Sequence, residues 1–139
     1  MSNSVGEGRF SLILEGVDLP AELIEEKLQI KATRVLRKGD VLNRLPLMVA
    51  ETDEWAHTIV LTNSQNTDTA LNDLLAQIIV HAGDLKAFAE AGVNVQLRLY
   101  VQSDYAQMSY RLMPETLSRL VATGLPLEVT SISWGELGI

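Results

Sequence analysis

His57 and His81 are the only side chains in the sequence whose ordinary titration lies near neutral pH, and the chain has no cysteine to share the chemistry. A serine or threonine nucleophile needs a histidine within hydrogen-bond reach and an acid to orient that histidine. His81 stands in I-I-V-H-A-G, inside a helical pattern, where a packed or rim histidine is the plain expectation. His57 lies in W-A-H-T-I-V-L-T, two residues after Trp55, so the two side chains share one face of a strand. For that pair a place in a binding surface is the functional reading and a structural place the plain one. Asp53 and Glu54 near His57 are the one candidate metal-ligand cluster, but adjacent acids at the start of a strand are ordinarily solvated. Glu22, Glu25 and Glu26 fall on the outer face of a helix by their spacing. There is no Walker loop and no G-x-G-x-x-G. The sequence therefore predicts no catalytic residues, no metal and no cofactor, and a protein that is not an enzyme.

A second candidate is T-R-V-L-R-K-G-D, residues 33–40, with three cations in five residues of an otherwise acidic chain. Gly39 is placed to take a positive φ and Asp40 to bond the turn backbone. No helix N-terminus follows, so this is no phosphate cradle. The expectation is a basic turn of Arg34, Arg37, Lys38 and Asp40 with solvated cations, and secondarily a basic edge that faces a partner.

The elements that must position these groups follow from periodicity. Residues 1–8 read as a flexible tail and 9–139 as a single domain. F-S-L-I-L-E-G is a first strand, Asp18 an N-cap, and Leu19, Leu23, Ile24 and Leu28 the apolar stripe of a helix. A short strand is predicted over Thr33–Leu36, a loop over 41–53 and a strand over 55–62. Leu71, Leu74, Leu75, Ile78, Ile79, Leu85 and Phe88 make a long helix that Gly83 kinks or that breaks near Ala82. V-N-V-Q-L-R-L-Y-V alternates without a fault, and M-S-Y-R-L, 108–112, reads as its hairpin partner. A third helix runs from Pro114 to Gly124, and L-E-V-T-S-I-S-W is the last strand. The order β-α-β-β-α-β-β-α-β predicts an α+β fold: a mostly antiparallel sheet, ferredoxin-like at its beginning, with three helices on one face.

Alternation then places a third candidate site. If Val95, Leu97 and Leu99 face the helices, Arg98 and Tyr100 point from the opposite face. The expected hairpin partner would add Arg111, and Trp55 or His57 an aromatic. Arginine and aromatics are enriched in binding hot spots, whereas the plain reading is a solvated sheet face.

Composition narrows the partners. Eighteen acids against 11 bases give a net charge of −7, which disfavours nucleic acid. The N-terminus has no apolar core of a signal peptide, and no apolar run approaches the roughly 20 residues that span a bilayer. A soluble cytoplasmic protein is expected, with no membrane partner.

The run F-S-L-I-L-E-G-V-D-L-P-A-E-L-I-E-E-K-L-Q-I-K-A-T-R, then R-K-G-D, then E-W-A, and later M-P-E-T-L-S-R-L-V-A-T-G-L-P-L-E-V, resembles a bacterial domain-of-unknown-function family, number 4279. The resemblance covers about residues 9–134 and implies an α+β domain with no established activity. Two departures stand out: Ala32 where the family tends to have proline, and Glu128 or Thr130 where it has an aspartate in the last strand. Some small bacterial domains of this sort look like immunity proteins, an analogy at the level of fold. The function expected is a protein-binding module, immunity-like or regulatory, with a homodimer through a sheet edge also foreseen. The alternative is a small-anion sensor in which Arg98 and Arg111 meet the ligand.

Overall fold

Five consecutive residues of the first strand, Phe10 to Leu14, are buried, more than a one-sided alternation provides. The cause is position. In the computed structural model, which describes residues 7–42, 48–62, 66–105 and 109–136, this strand is the centre of a five-stranded sheet. Phe10, Leu12 and Leu14 face the helices, while Ser11 and Ile13 are covered from the other side by side chains of the neighbouring strands.

The elements in chain order are β1 (Glu7–Gly16), α1 (Ala21–Leu28), β2 (Arg34–Leu36), β3 (Val41–Leu42), β4 (Met48–Val49), β5 (Asp53–Thr62), α2 (Thr67–Ile79), α3 (Ala82–Glu90), β6 (Asn94–Tyr105), α4 (Pro114–Thr123) and β7 (Leu127–Glu136). The main sheet has the order β2-β5-β1-β6-β7, and β3 and β4 pair as a small separate hairpin. β1 is antiparallel to both β5 and β6, and β2 to β5, whereas β7 runs parallel to β6. The first four main strands thus reproduce a ferredoxin-like split unit. α4 and β7 extend it by one crossover.

The helices pack on one face. Ile24 and Leu28 of α1, Leu71, Leu74, Leu75 and Ile78 of α2 and Leu85 of α3 join Phe10, Leu12, Leu14, Trp55, Leu61, Leu97 and Leu99 in one core. Each such side chain, fully buried, stabilises the fold by roughly 1.5–3 kcal/mol. Asn66 caps α2, its side chain accepting from the N–H groups of Asp68 and Thr69.

The α+β class and the mostly antiparallel sheet agree with the sequence, and several details do not. The described residues form four helices rather than three. The extra helix comes from the break near Ala82, one of the two outcomes the sequence predicts: α2 ends at Ile79 and α3 starts at Ala82, with Leu85 in the core. The stretch 41–53 holds a short hairpin rather than a loop alone. Asp18 takes a left-handed φ of 53° instead of capping α1, whose N-cap is Pro20. β1 begins at Glu7, inside the expected tail. Residues 109–113 form no strand, and Met108 lies outside the described residues. β6 is flanked instead by β1 and by β7, which α4 delivers in parallel, so no edge remains for a hairpin partner.

Candidate functional site

The basic turn is a structural knot built round a carboxylate. Asp53, at the start of β5, is buried, and its Oδ1 accepts the Lys38 N–H at 2.8 Å. Its Oδ2 accepts the Leu19 N–H and the Arg37 guanidinium, each at 3.0 Å. Arg37 also donates to the Leu19 carbonyl at 2.8 Å. One acid therefore ties the β1–α1 connection and the turn after β2 to the sheet. Gly39 takes a φ of 93°, and Asp40 accepts the Arg37 N–H at 2.7 Å, as the sequence predicts. The cations are not simply solvated, because Arg37 pairs with Asp53 and Arg34 with Glu54. Lys38 contributes its backbone N–H. Nor is Asp53 a solvated strand-start acid: the burial of a carboxylate by backbone amides leaves no mark in hydropathy.

The Lys38 N–H above all, then Arg37 and the Leu19 N–H, hold the Asp53 carboxyl below its usual range, against the opposing effect of desolvation. A lowered folded-state pKa stabilises the fold above the unfolded carboxylate value of about 4, and the contribution is lost as pH falls through the folded value. Asp53→Asn is expected to lower Tm by on the order of 5 °C near neutral pH. The gap from the unsubstituted protein should narrow as the pH is taken below about 4, as thermal melts along a pH series would measure.

Trp55 and His57 do share a face, but it is the helix face. Leu14 is opposite Trp55 and Leu12 opposite His57, so both point toward the core side. Trp55 is fully buried. His57 Nδ1 lies 2.9 Å from the Lys31 carbonyl, fastening the lead into β2, where Thr33 Oγ1 also donates to the Ala56 carbonyl at 3.1 Å. Neither residue joins Arg98 and Tyr100. Arg111 does not join them either. Tyr110 and Leu112 pack against the core, burial raises the Tyr110 phenol above its usual range, and the Met113 N–H donates to Asp68. The segment carrying Arg111 thus lies on the helix side. His81 sits at the α2–α3 break, Nδ1 3.7 Å from the Asp84 carboxylate. Glu25 is not merely solvated: it accepts the Ala32 N–H at 3.0 Å, a bond that the family's proline could not make. Among the described residues no three histidines, aspartates or glutamates gather to hold a metal.

What the opposite face does assemble is a set of cross-strand rows. Val60, Arg9, Tyr100 and Thr130 lie side by side across β5, β1, β6 and β7. Below them run Thr58, Ser11, Arg98 and Glu128. Ser11 and Thr58 share a hydrogen bond of 2.7 Å. Arg98 Nε lies 3.1 Å from Glu128, an ion pair by distance in which the N–H is not aimed at the oxygen. The Tyr100 hydroxyl donates to Gln102, whose amide donates to Glu7, at 2.9 and 3.0 Å. Arg9 is exposed and makes no side-chain hydrogen bond or ion pair among the described residues. Its neighbour Val60 is 59% exposed. Sequence reasoning missed Arg9 by starting the strand at Phe10, although the alternation continues back through Arg9 and Gly8.

Fold and surfaces together define a small α+β domain of the split β-α-β class, with its helices on one face and the other face of its sheet open. The chain belongs to the family described as Domain of unknown function (DUF4279), whose model matches residues 6–134. No curated protein and no solved structure matches it.

Proposed function

We propose that this domain is a non-enzymatic protein-binding module that receives its partner on the open sheet face, in an immunity-like or regulatory role in the bacterial cytoplasm. The observation that carries the reading is the row Val60–Arg9–Tyr100: a cation unpaired among the described residues, between an exposed apolar side chain and a tyrosine held by its own hydrogen bond. Arginine and tyrosine are the residue types that dominate binding hot spots, and Tyr100, already held by Gln102, loses little entropy on docking. A partner that places a carboxylate over Arg9 and an apolar group over Val60 fits this row. Both histidines are engaged with backbone or a neighbouring acid rather than with a hydroxyl, which favours binding over catalysis.

The test is native mass spectrometry of the protein purified at low salt from its host, beside Arg9→Glu. The unsubstituted protein is expected to carry a protein partner in fixed ratio, and Arg9→Glu to bind it at least about tenfold more weakly with Tm unchanged. Retention of the partner by Arg9→Glu sinks the assignment to this face. The second reading is a small-anion sensor, favoured by the lack of a carboxylate beside Arg9 among the described residues. Arg111 drops out of it, because it is carried on the helix side. In that case an anionic metabolite, not a protein, is retained and raises Tm by mass action.

A further inference from the structure

The last strand leaves the sheet unfinished. β7 is an outer strand, and its ten residues carry two charges, Glu128 near its start and Glu136 at its end. The Leu97 N–H bonds the Pro126 carbonyl, so even-numbered residues face β6 in the parallel ladder. The backbone groups of Leu127, Val129 and Ser131 then point outward with no strand to meet them among the described residues. Outer strands this long are ordinarily blunted with lysine, proline, a bulge or a short length; residues 127–136 contain neither residue, and the ladder to β6 is regular from Leu127 to Ser133, its one irregularity lying beyond.

Independently, α4 carries an apolar flank on the same side. Its charges belong to the flank that faces α2: Arg119 donates to Asn72 at 2.9 Å and pairs with Glu115 at 3.2 Å. The flank turned away presents Met113, Leu117 and Val121 at four-residue spacing, Leu117 44% and Val121 78% exposed. Val129, on the helix side of β7 opposite Leu99, is 47% exposed. The result is an uncharged step, with Val129 as floor and the α4 flank as wall, running beside an unmatched row of backbone donors and acceptors.

We infer that a second copy of this chain completes this edge, β7 pairing antiparallel with β7 about a two-fold axis near Ser131 to make one continuous ten-stranded sheet. A lone peptide strand would satisfy the backbone and leave the α4 flank in water. The same surface rotated by the two-fold supplies both a strand and an apolar flank on the correct side. Charge agrees. A protein of net charge −7 repels its own copies, and the stretch 129–135, between the two acids of β7, carries no charge. With the axis at Ser131 the two Glu128 carboxylates stand about 20 Å apart along the strands. The inference does not rest on the sheet-face reading, since the row at Arg9 is untouched by it.

The experiment is sedimentation equilibrium at micromolar concentration on the unsubstituted protein, Val121→Glu and Arg9→Glu, joined to disulfide trapping. Because the chain has no cysteine, Thr130→Cys, Ser131→Cys and Ile132→Cys can each be oxidised singly, with Ser118→Cys as a control. A dimer that Val121→Glu weakens at least about tenfold, that Arg9→Glu leaves intact and that cross-links only within 130–132 supports the proposal. A monomer, a dimer indifferent to Val121→Glu, or cross-linking no stronger than at the Ser118 control overturns it.

Discussion

Cutting Trp55 back to alanine is expected to lower the free energy of unfolding by about 3–5 kcal/mol, while Trp55→Phe stays within about 1.5 kcal/mol. The indole is fully buried against Leu14 on one side and Val35 on the other. Alanine would leave a cavity that two paired strands cannot collapse to fill. Phenylalanine keeps most of the apolar volume. It also discards an indole N–H that is buried without a partner among the described residues, and an unmatched donor is a standing cost. Urea denaturation of the three proteins measures the contrast. A tryptophan serving a binding surface would behave the opposite way, losing a partner and leaving stability unchanged. Near-equal stabilities for alanine and the native residue would contradict the core placement.

How much of this was legible depended on which physical signal was asked for. Periodicity located nearly every element, because Phe10, Leu12 and Leu14, or Leu71, Leu74, Leu75 and Ile78, must share a face to be buried. Period two states which residues share a face, but not which face. Alternation couples Trp55 and His57 correctly, and the side they share is the core side, as Ile59 and Leu61 of the same set mark it. Strand pairing is a tertiary choice. Ser109 to Leu112 has the composition of a strand, yet the parallel crossover through α4 takes the place beside β6. The R-K-G-D turn was legible in its glycine and its Asp40 bond, and illegible in its anchor. Asp53 lies thirteen residues downstream of Asp40, and only folding brings the Lys38 and Leu19 amides to it. Arg9 was hidden by a boundary, the least secure feature of any strand read from sequence.

That boundary also holds the most tightly enclosed of the described glycines, and Gly8→Ala should expose it. A β-carbon at Gly8 would stand 2.5 Å from the Tyr100 carbonyl oxygen, with Val101 Cγ1 at 3.2 Å and Leu61 Cδ1 at 3.3 Å. The two methyl groups can give way by rotation. The carbonyl cannot, because it belongs to the β6 backbone alongside β1 in the ladder. The central strand would have to lift from its neighbour, and overpacking of this kind costs about 1–3 kcal/mol. Gly83→Ala is the control: a β-carbon there meets nothing within 4 Å, and in the first turn of α3 it should be neutral or stabilise by up to about 1 kcal/mol. The displacement at Gly8 also moves its sequence neighbour Arg9 and the opposing Tyr100, so the same substitution should weaken partner capture beyond what the fall in Tm explains. Equal stabilities for Gly8→Ala and Gly83→Ala would mean that β1 and β6 do not approach as closely as the register places them, and the row at Arg9 would lose the frame that holds it.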